Sequence, residues 1–424
     1  MTAGLNARRQ ASMIRKGLAM RNTTQPASQF SFTLIAALVS ALCAGGAQAA
    51  TADVLSLTVA QEYRYDDNVF RINDGATPQG GASRSDSIWT TRATAALDKE
   101  SGRQRFTASL GGANVVYGDN TKLNHQTYSG QAGWRLGFGS GSEVGLSYNR
   151  AQSMGRFEDR TGSTDRNLVT SESFAADTAL RIAGDWLGMA SVSKGSFENS
   201  RTELRTGDSE VASADAGVRY APRNGNYVDA RFRKSEYDYN NIAPGASDPS
   251  YKQSEIRLTA RWVPNGTSTI EPGFSLVRSK HDQITNFDYS GWTGFLNYQW
   301  KPTGALTTSL KLARDVGAVG DAWGSYAKTH TISSYTKWQT TAKLSFFLDA
   351  AWQKQSFEGF QNLNAVFVQG ERDDKNWWLG IGTDYLVTDK LLFGLSVKEY
   401  RRMSSQQTYN YSDTQVLVTG QYKF

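Results

Sequence analysis

A two-residue alternation of side-chain character constrains this chain more than any other feature. It recurs from residue 50 onward in segments of about 10–15 residues. Leu344, Phe346, Leu348, Ala350 and Trp352 share one parity, while Lys343, Ser345 and Asp349 take the other. Ile256, Leu258, Ala260 and Trp262 alternate with Glu255, Arg257, Thr259 and Arg261. Ala214, Ala216, Val218 and Tyr220 alternate with Ser213, Asp215, Gly217 and Arg219. Successive residues of a strand point to opposite faces, so each segment has one face suited to an apolar medium and one suited to water. No long amphipathic helix interrupts the series.

The connections also alternate. Short ones fall at 99–102, 137–142, 183–185, 222–226, 264–266, 301–304, 339–341 and 388–390, with Asn-Gly, Pro-x-x-Gly and Gly-Asp turn chemistry. Long polar ones fall at 67–86, 118–123, 153–167, 199–208, 239–249, 281–285, 317–327, 357–371 and 403–408. Short turns at one end and long loops at the other are the build of a bacterial outer-membrane barrel. The expected fold is all-β, a transmembrane antiparallel up-and-down β-barrel of about 18 strands (16–18), with both ends on the short-turn side. A secreted sandwich, propeller or solenoid also buries one strand face. Aromatic strand ends at Trp134, Tyr148, Trp300, Tyr385 and Tyr422 argue for the barrel. So does the last segment, where Val416, Val418, Tyr422 and Phe424 share a face and the chain ends on an aromatic residue. Tyr422 and Phe424 resemble the terminal signal read by the outer-membrane assembly machinery, which makes that machinery an expected partner. A closing strand also removes the unpaired edge that lipid would not tolerate.

Mean hydropathy is −0.50, which argues against a helical membrane protein. One run, 30–50, approaches the roughly 20 apolar residues of a spanning helix. It reads instead as a cleavable Sec signal peptide over 1–49. Arg8, Arg9, Arg15, Lys16 and Arg21 precede the apolar stretch 32–42, and Ala47-Gln48-Ala49 follows as the cleavage site. Met20 is an alternative initiator. The sole cysteine, Cys43, follows Leu42 within this segment, and a bulky residue there does not suit lipidation. Residues 50–424, the single barrel domain, then have no thiol chemistry. Processing lowers the charge from +6 to +1, since all five basic residues of 1–49 are lost and no acidic one. The basic balance is therefore not a nucleic-acid signal, and nucleic acid is not an expected partner.

No catalytic motif stands out, and an enzyme is not expected. His125, His281 and His330 are scattered and read as exposed loop histidines. No cofactor is expected. Tyr65-Asp66-Asp67-Asn68-Val69-Phe70-Arg71 concentrates hard oxygen ligands that suit calcium. The reading preferred for it is a strand-end turn in which Asp and Asn bond the backbone, with no metal. The polar face is richer in bases. Arg92, Arg135, Arg181, Arg219, Arg231, Arg233, Arg257, Arg261, Lys311, Lys343 and Lys398 fall on it, against Glu143, Asp177, Asp215, Asp229, Glu255 and Asp349. Two readings of this lumen set stand side by side. In one it guides an anion. In the other each arginine ties the wall to a neighbouring carboxylate, as Arg231 beside Asp229 and Arg257 beside Glu255 suggest. Tyr237, Tyr239, Phe295 and Trp378 could stack on sugar rings, but the preferred reading places them in an interfacial girdle or in packing.

The order of motifs carries a family resemblance. The Tyr65–Arg71 segment is followed by Ser85-Asp86-Ser87-Ile88, Gly102-Arg103-Gln104-Arg105-Phe106 and Trp134-Arg135-Leu136. Over 53–150 the chain resembles the outer-membrane β-barrels of exopolysaccharide operons, the EpsL type within a broader β-barrel porin class. The resemblance implies an outer-membrane role in exopolysaccharide production or export, with a polysaccharide substrate and periplasmic export partners, and no catalytic residues. The expected function is a porin-like channel exporting an anionic exopolysaccharide, plugged in part by 67–86, 153–167 or 357–371. The alternatives are a general or small-solute porin, and a non-conducting structural or adhesive barrel that binds polysaccharide through its loops. The expected location is the Gram-negative outer membrane, in contact with its lipid and lipopolysaccharide.

Overall fold

The computed structural model describes residues 54–424 except 140, 159–161, 223, 319–325 and 359–371. The signal peptide expected over 1–49 lies outside the described residues. The strands are β1 (Leu55–Asp66), β2 (Asp86–Ser101), β3 (Gln104–Tyr117), β4 (His125–Phe138), β5 (Ser142–Met154), β6 (Leu168–Ala183), β7 (Trp186–Asn199), β8 (Ser209–Tyr220) and β9 (Tyr227–Tyr239). They continue as β10 (Tyr251–Asn265), β11 (Ser268–His281), β12 (Tyr289–Thr303), β13 (Leu306–Ala318), β14 (Tyr326–Gln339), β15 (Leu344–Glu358), β16 (Arg372–Thr388), β17 (Leu391–Ser404) and β18 (Tyr411–Lys423). Each pairs antiparallel with its sequence neighbours, and β1 pairs with β18 to close one 18-stranded sheet. The closing register runs from Thr58↔Lys423 to Asp66↔Gln415. The expected strand count and closure are both met.

Parity decides which face meets lipid. Leu110, Ile182 and Ile381 are 61%, 65% and 57% exposed, and on every strand most such residues share one parity. Leaving that much apolar area in water would forgo about 25 cal/mol per Å², so the band is covered by hydrocarbon. Trp186, Trp262, Trp300, Trp338, Tyr385 and Tyr422 ring the short-turn end, and Trp89, Tyr128, Trp292 and Trp352 ring the other; all are exposed. These are the two aromatic belts of an outer-membrane barrel, with the short turns on the periplasmic side. Gly102 and Gly184 supply the positive φ that two of those turns need. At the closing seam the Phe424 amide donates to the Leu57 carbonyl at 2.8 Å, and the Tyr422 and Phe424 rings meet edge-on at 4.8 Å.

Candidate functional site: the lumen and its mouth

One side of the extracellular mouth is built by L1 (67–85), L2 (118–124) and the described parts of L3 (155–158 and 162–167). L1 lies against the inner wall. Val69, Phe70 and Ile72 of L1 bury with Ile88, Tyr117, Leu123 of L2 and Phe157 of L3 in one apolar cluster. The Phe70 and Phe157 rings meet edge-on at 5.0 Å. The seven-residue segment from Tyr65 anchors it. Asn68 is fully buried, donating to the Ile72 and Ser412 carbonyls and accepting from the Ile72 amide. Arg71 adopts φ 54°, a left-handed conformation costly for a non-glycine residue. Its guanidinium bonds both Asp66 oxygens at 2.9 Å and Asp413 of β18 at 3.0 Å. Burial works against the Arg71 charge. The Asp66 hydrogen bond and charge outweigh it, with Asp413 behind them, and raise its pKa above the ordinary arginine value. The second motif acts beside it. Buried Asp86 accepts from the amides of Ser87, Gly118, Asp119 and Asn120 and from the Asn120 side chain, which folds L2 around one carboxylate.

Asp66, Asp67 and Asp413 do bring carboxylate oxygens within 4.8 Å of one another, as a calcium site would. Arg71 supplies the positive charge there, and Asp67 accepts the Thr414 amide at 2.7 Å. The strand-end turn expected here is present, with Asp66 accepting the Asn68 amide at 3.0 Å and the Asn68 side chain bonding the backbone, and it is also the root of an inward-packed loop.

L3 crosses to the far side of the same mouth. The Glu158 carbonyl accepts from Arg402 of β17 at 3.1 Å. Arg402 and Arg372 both grip Asp374, which is completely buried. The Arg372 guanidinium lies between the Phe357 and Tyr409 rings, at 4.3 and 3.6 Å. Sequence reasoning overlooked these residues. The only available signal was the inward parity of Arg372, Asp374 and Asn376 at the end of a strand. Of the three expected plugs, 67–86 and the described parts of 153–167 pack at the mouth, while 159–161 and most of 357–371 lie outside the described residues.

The lumen bases divide by position. Arg219, Arg231, Arg233 and Arg257 face inward on β8–β10 among Asp215, Asp229 and Glu255. Arg219 holds Asp229 bidentately at 2.5 and 2.7 Å, and Arg257 holds Glu255 at 2.9 and 2.9 Å. Arg231 reaches Asp215 and Asp229 at 3.4 Å each, and Arg233 reaches Asp215 at 3.1 Å. Gly217 leaves room for this ladder, since a Cβ there would strike the Ala230 carbonyl and the Arg231 backbone. Arg135 pairs with Glu143 at 2.6 Å, and Arg261 with Glu271 at 3.6 Å. Lys398 pairs with Asp349 at 3.2 Å. Arg92 and Lys311 have no ion-pair partner among the described residues. Two expected lumen residues sit instead at the periplasmic rim. Arg181 bonds the Gly184 carbonyl in the β6–β7 turn. Lys343 precedes β15 and donates to the Val387 carbonyl at 3.1 Å, because the strand begins one residue later than the alternation suggested.

Other expectations need correction. His125 is buried, with Nδ1 2.7 Å from the Leu123 carbonyl, and His281 is enclosed beside Asp288 at 3.4 Å, so neither is an exposed loop histidine. His330 is exposed on the outer face. Tyr237, Tyr239, Phe295 and Trp378 carry inward parity and belong to the lumen wall rather than to a girdle. Tyr237 stacks on Tyr251 at 4.4 Å, and Trp378, Tyr400 and Tyr411 stack in series at 5.9 and 5.6 Å.

A closed barrel with an apolar outer band, a polar interior and loops packed at its mouth defines the class of protein: a transmembrane β-barrel of the Gram-negative outer membrane. No family model and no curated protein matches the chain. Solved structures resemble it in architecture. OccK9 (OpdG) of Pseudomonas aeruginosa aligns with TM-score 0.48 and 10% identity over 88% of this chain and 99% of that one. OpdK of the same organism gives 0.47 and 12% over 88% and 100%. OccAB3 of Acinetobacter baumannii gives 0.46 and 10% over 87% and 99%. Likeness at this level carries nothing about solutes.

Proposed function

We propose that the barrel is a passive channel for small hydrophilic solutes, with anions favoured. The observation that carries this reading is the L1–L3 unit. Its dry cluster and buried ion pairs close a sector of the mouth along β16–β18 and β1–β3, and we take the opposite wall, β8–β10, as the side along which the solute path runs. An 18-stranded barrel has the bore for a water-filled channel, and a fixed constriction suits small solutes better than a hydrated polymer. On the β8–β10 side of that path four arginines face three carboxylates. Each guanidinium has five N–H donors, so donors remain for a passing carboxylate or phosphate after the wall pairs are made.

Liposome swelling with sugars of graded size, combined with reversal potentials in planar bilayers, tests the proposal. Swelling that falls steeply with sugar size, together with anion preference, is expected. Free passage of long oligosaccharides would favour export of an exopolysaccharide. That reading draws on the family resemblance and on the inward-facing Trp378 and Tyr400 rings, which suit sugar faces. Absence of any conductance would favour the adhesive barrel.

A further inference from the structure

The outer face of β13–β16 differs from the rest of the lipid-facing surface. One hydrogen-bonded register row across these strands reads Arg314↔His330↔Lys354↔Lys375, all on outward parity. The adjacent row on the periplasmic side is apolar and aromatic: Leu312↔Ile332↔Trp352↔Trp377. The basic row therefore sits just above the outer aromatic belt, at the level of lipid headgroups. Below it a groove of about 700 Å³ opens on the hydrocarbon side, walled by Phe274, Trp292, Leu312, Ile332 and Trp352. Gly294 brings no side chain to the groove, which keeps it open.

The charges are unbalanced there. Arg314, His330 and Lys375 have no ion-pair partner among the described residues. Lys354 has only Asp373, 3.8 Å away and half-exposed, a pair of little worth. Glu399 is outward too, two strands from Lys354. Lys354 and Lys375 stand directly opposite on neighbouring strands, where like charges repel, so that pair is unfavourable until an anion bridges it. Arg314 is already ordered for that role. Its guanidinium lies 4.0 Å from the Trp292 ring centroid and donates to the Trp292 carbonyl at 2.8 Å. Elsewhere Arg150 pairs with Glu172 at 2.9 Å, Lys194 with Glu210 at 2.7 Å and Lys252 with Glu236 at 3.3 Å, whereas Lys234, Arg278 and Lys280 on β9–β11 are outward with no ion-pair partner among the described residues, so what sets the β13–β16 row apart is the apolar groove beneath it.

We propose that the β13–β16 face is a specific binding site for a phosphorylated, acylated glycolipid of the outer leaflet, the lipopolysaccharide. Its phosphates sit on Arg314, His330, Lys354 and Lys375, and an acyl chain fills the groove beneath. The charge row selects phosphate, and the groove selects an amphiphile over a free anion.

The test uses the full-length barrel in nanodiscs, with bisphosphorylated lipid A as the probe and native mass spectrometry as the readout. Two triple variants are compared: Arg314→Gln/Lys354→Gln/Lys375→Gln, and the paired-side control Arg150→Gln/Lys194→Gln/Lys252→Gln. Heat-modifiable migration on gels establishes that each has folded. The first triple is expected to weaken lipid A binding by about tenfold or more, the scale of a few lost charge-assisted phosphate contacts, and the control by about twofold or less. Dephosphorylated lipid A should bind the wild type as weakly as lipid A binds the first triple. Equal losses in both triples, or equal affinity for the dephosphorylated lipid, would overturn the proposal. Competition by phosphatidylglycerol at equal phosphate would overturn the assignment to the glycolipid.

Discussion

Asp374 and Asp229 are both inward-facing aspartates on the barrel wall, and each is held by two arginines. Around Asp374 almost nothing reaches water: side-chain exposures are 0% for the aspartate, 1% for Arg372 and 7% for Arg402. Around Asp229 the carboxylate is covered but its partners are not, with Arg219 at 27% and Arg231 at 24%. The chemistry is the same and the surroundings differ, because L3 and the 405–410 connection lie over Asp374 and no loop among the described residues covers Asp229. A buried pair is costly to break, since the remaining partner cannot turn to solvent. A half-exposed pair is weak as a strut but keeps donors available to whatever passes. The mouth thus uses ion pairs to fix loops, and the β8–β10 wall leaves part of its guanidinium surface open to the lumen.

The sharpest way to break this contrast is Asp374→Ala. It strands two guanidiniums in a dry site, and the loss expected is about 3–5 kcal/mol, read from urea denaturation of the folded barrel. A loss as small as that of a surface pair would mean the mouth is wet. Phe70→Ala comes next. It empties the centre of the L1 cluster, for about 3 kcal/mol. The barrel itself should survive, because the strand ladder does not depend on L1. The loss should appear as protease cleavage within L1 and as higher single-channel conductance. Unchanged conductance would show that L1 does not narrow the path.

How far the sequence foretold these regions follows from how local their causes are. Alternation in segments such as 255–262 and 344–352 set strand parity, and the turn and loop lengths set the strand count. Both are properties of neighbouring residues. Ion pairs two residues apart, such as Arg257 with Glu255, were equally legible. The stronger Arg219–Asp229 pair was not, because it depends on the β8–β9 register. The L1 cluster was hidden for a further reason. Val69, Phe70, Leu123 and Phe157 come from three loops with no periodicity, and they meet only once the barrel has brought β1–β6 around. Segment 65–71 was visible as unusual, and its role as an anchor appeared only with Asp413 placed beside it by barrel closure.

On the open wall, Arg231→Gln is expected to cost only about 1 kcal/mol, since Asp215 retains Arg233 and Asp229 retains Arg219. Its effect should lie in selectivity instead, as a shift of reversal potential toward cation permeation. A stability loss as large as that of Asp374→Ala, with selectivity unchanged, would make the ladder structural like the mouth.

The smallest effect is expected from Lys252→Gln. It removes the same single positive charge as Arg231→Gln, from an outward pair with Glu236 whose side chains are 64% and 53% exposed. An exposed pair of this kind contributes roughly 0–1 kcal/mol, and screening in salt of about 0.15 M limits its reach to about 8 Å. Stability and reversal potential should both stay close to wild type. If selectivity depends on total charge rather than on which face carries it, Lys252→Gln and Arg231→Gln will shift the reversal potential equally, and the assignment of the β8–β10 ladder to the solute path fails. If only Arg231→Gln moves it, strand parity alone separates a residue that a solute meets from one that lipid meets.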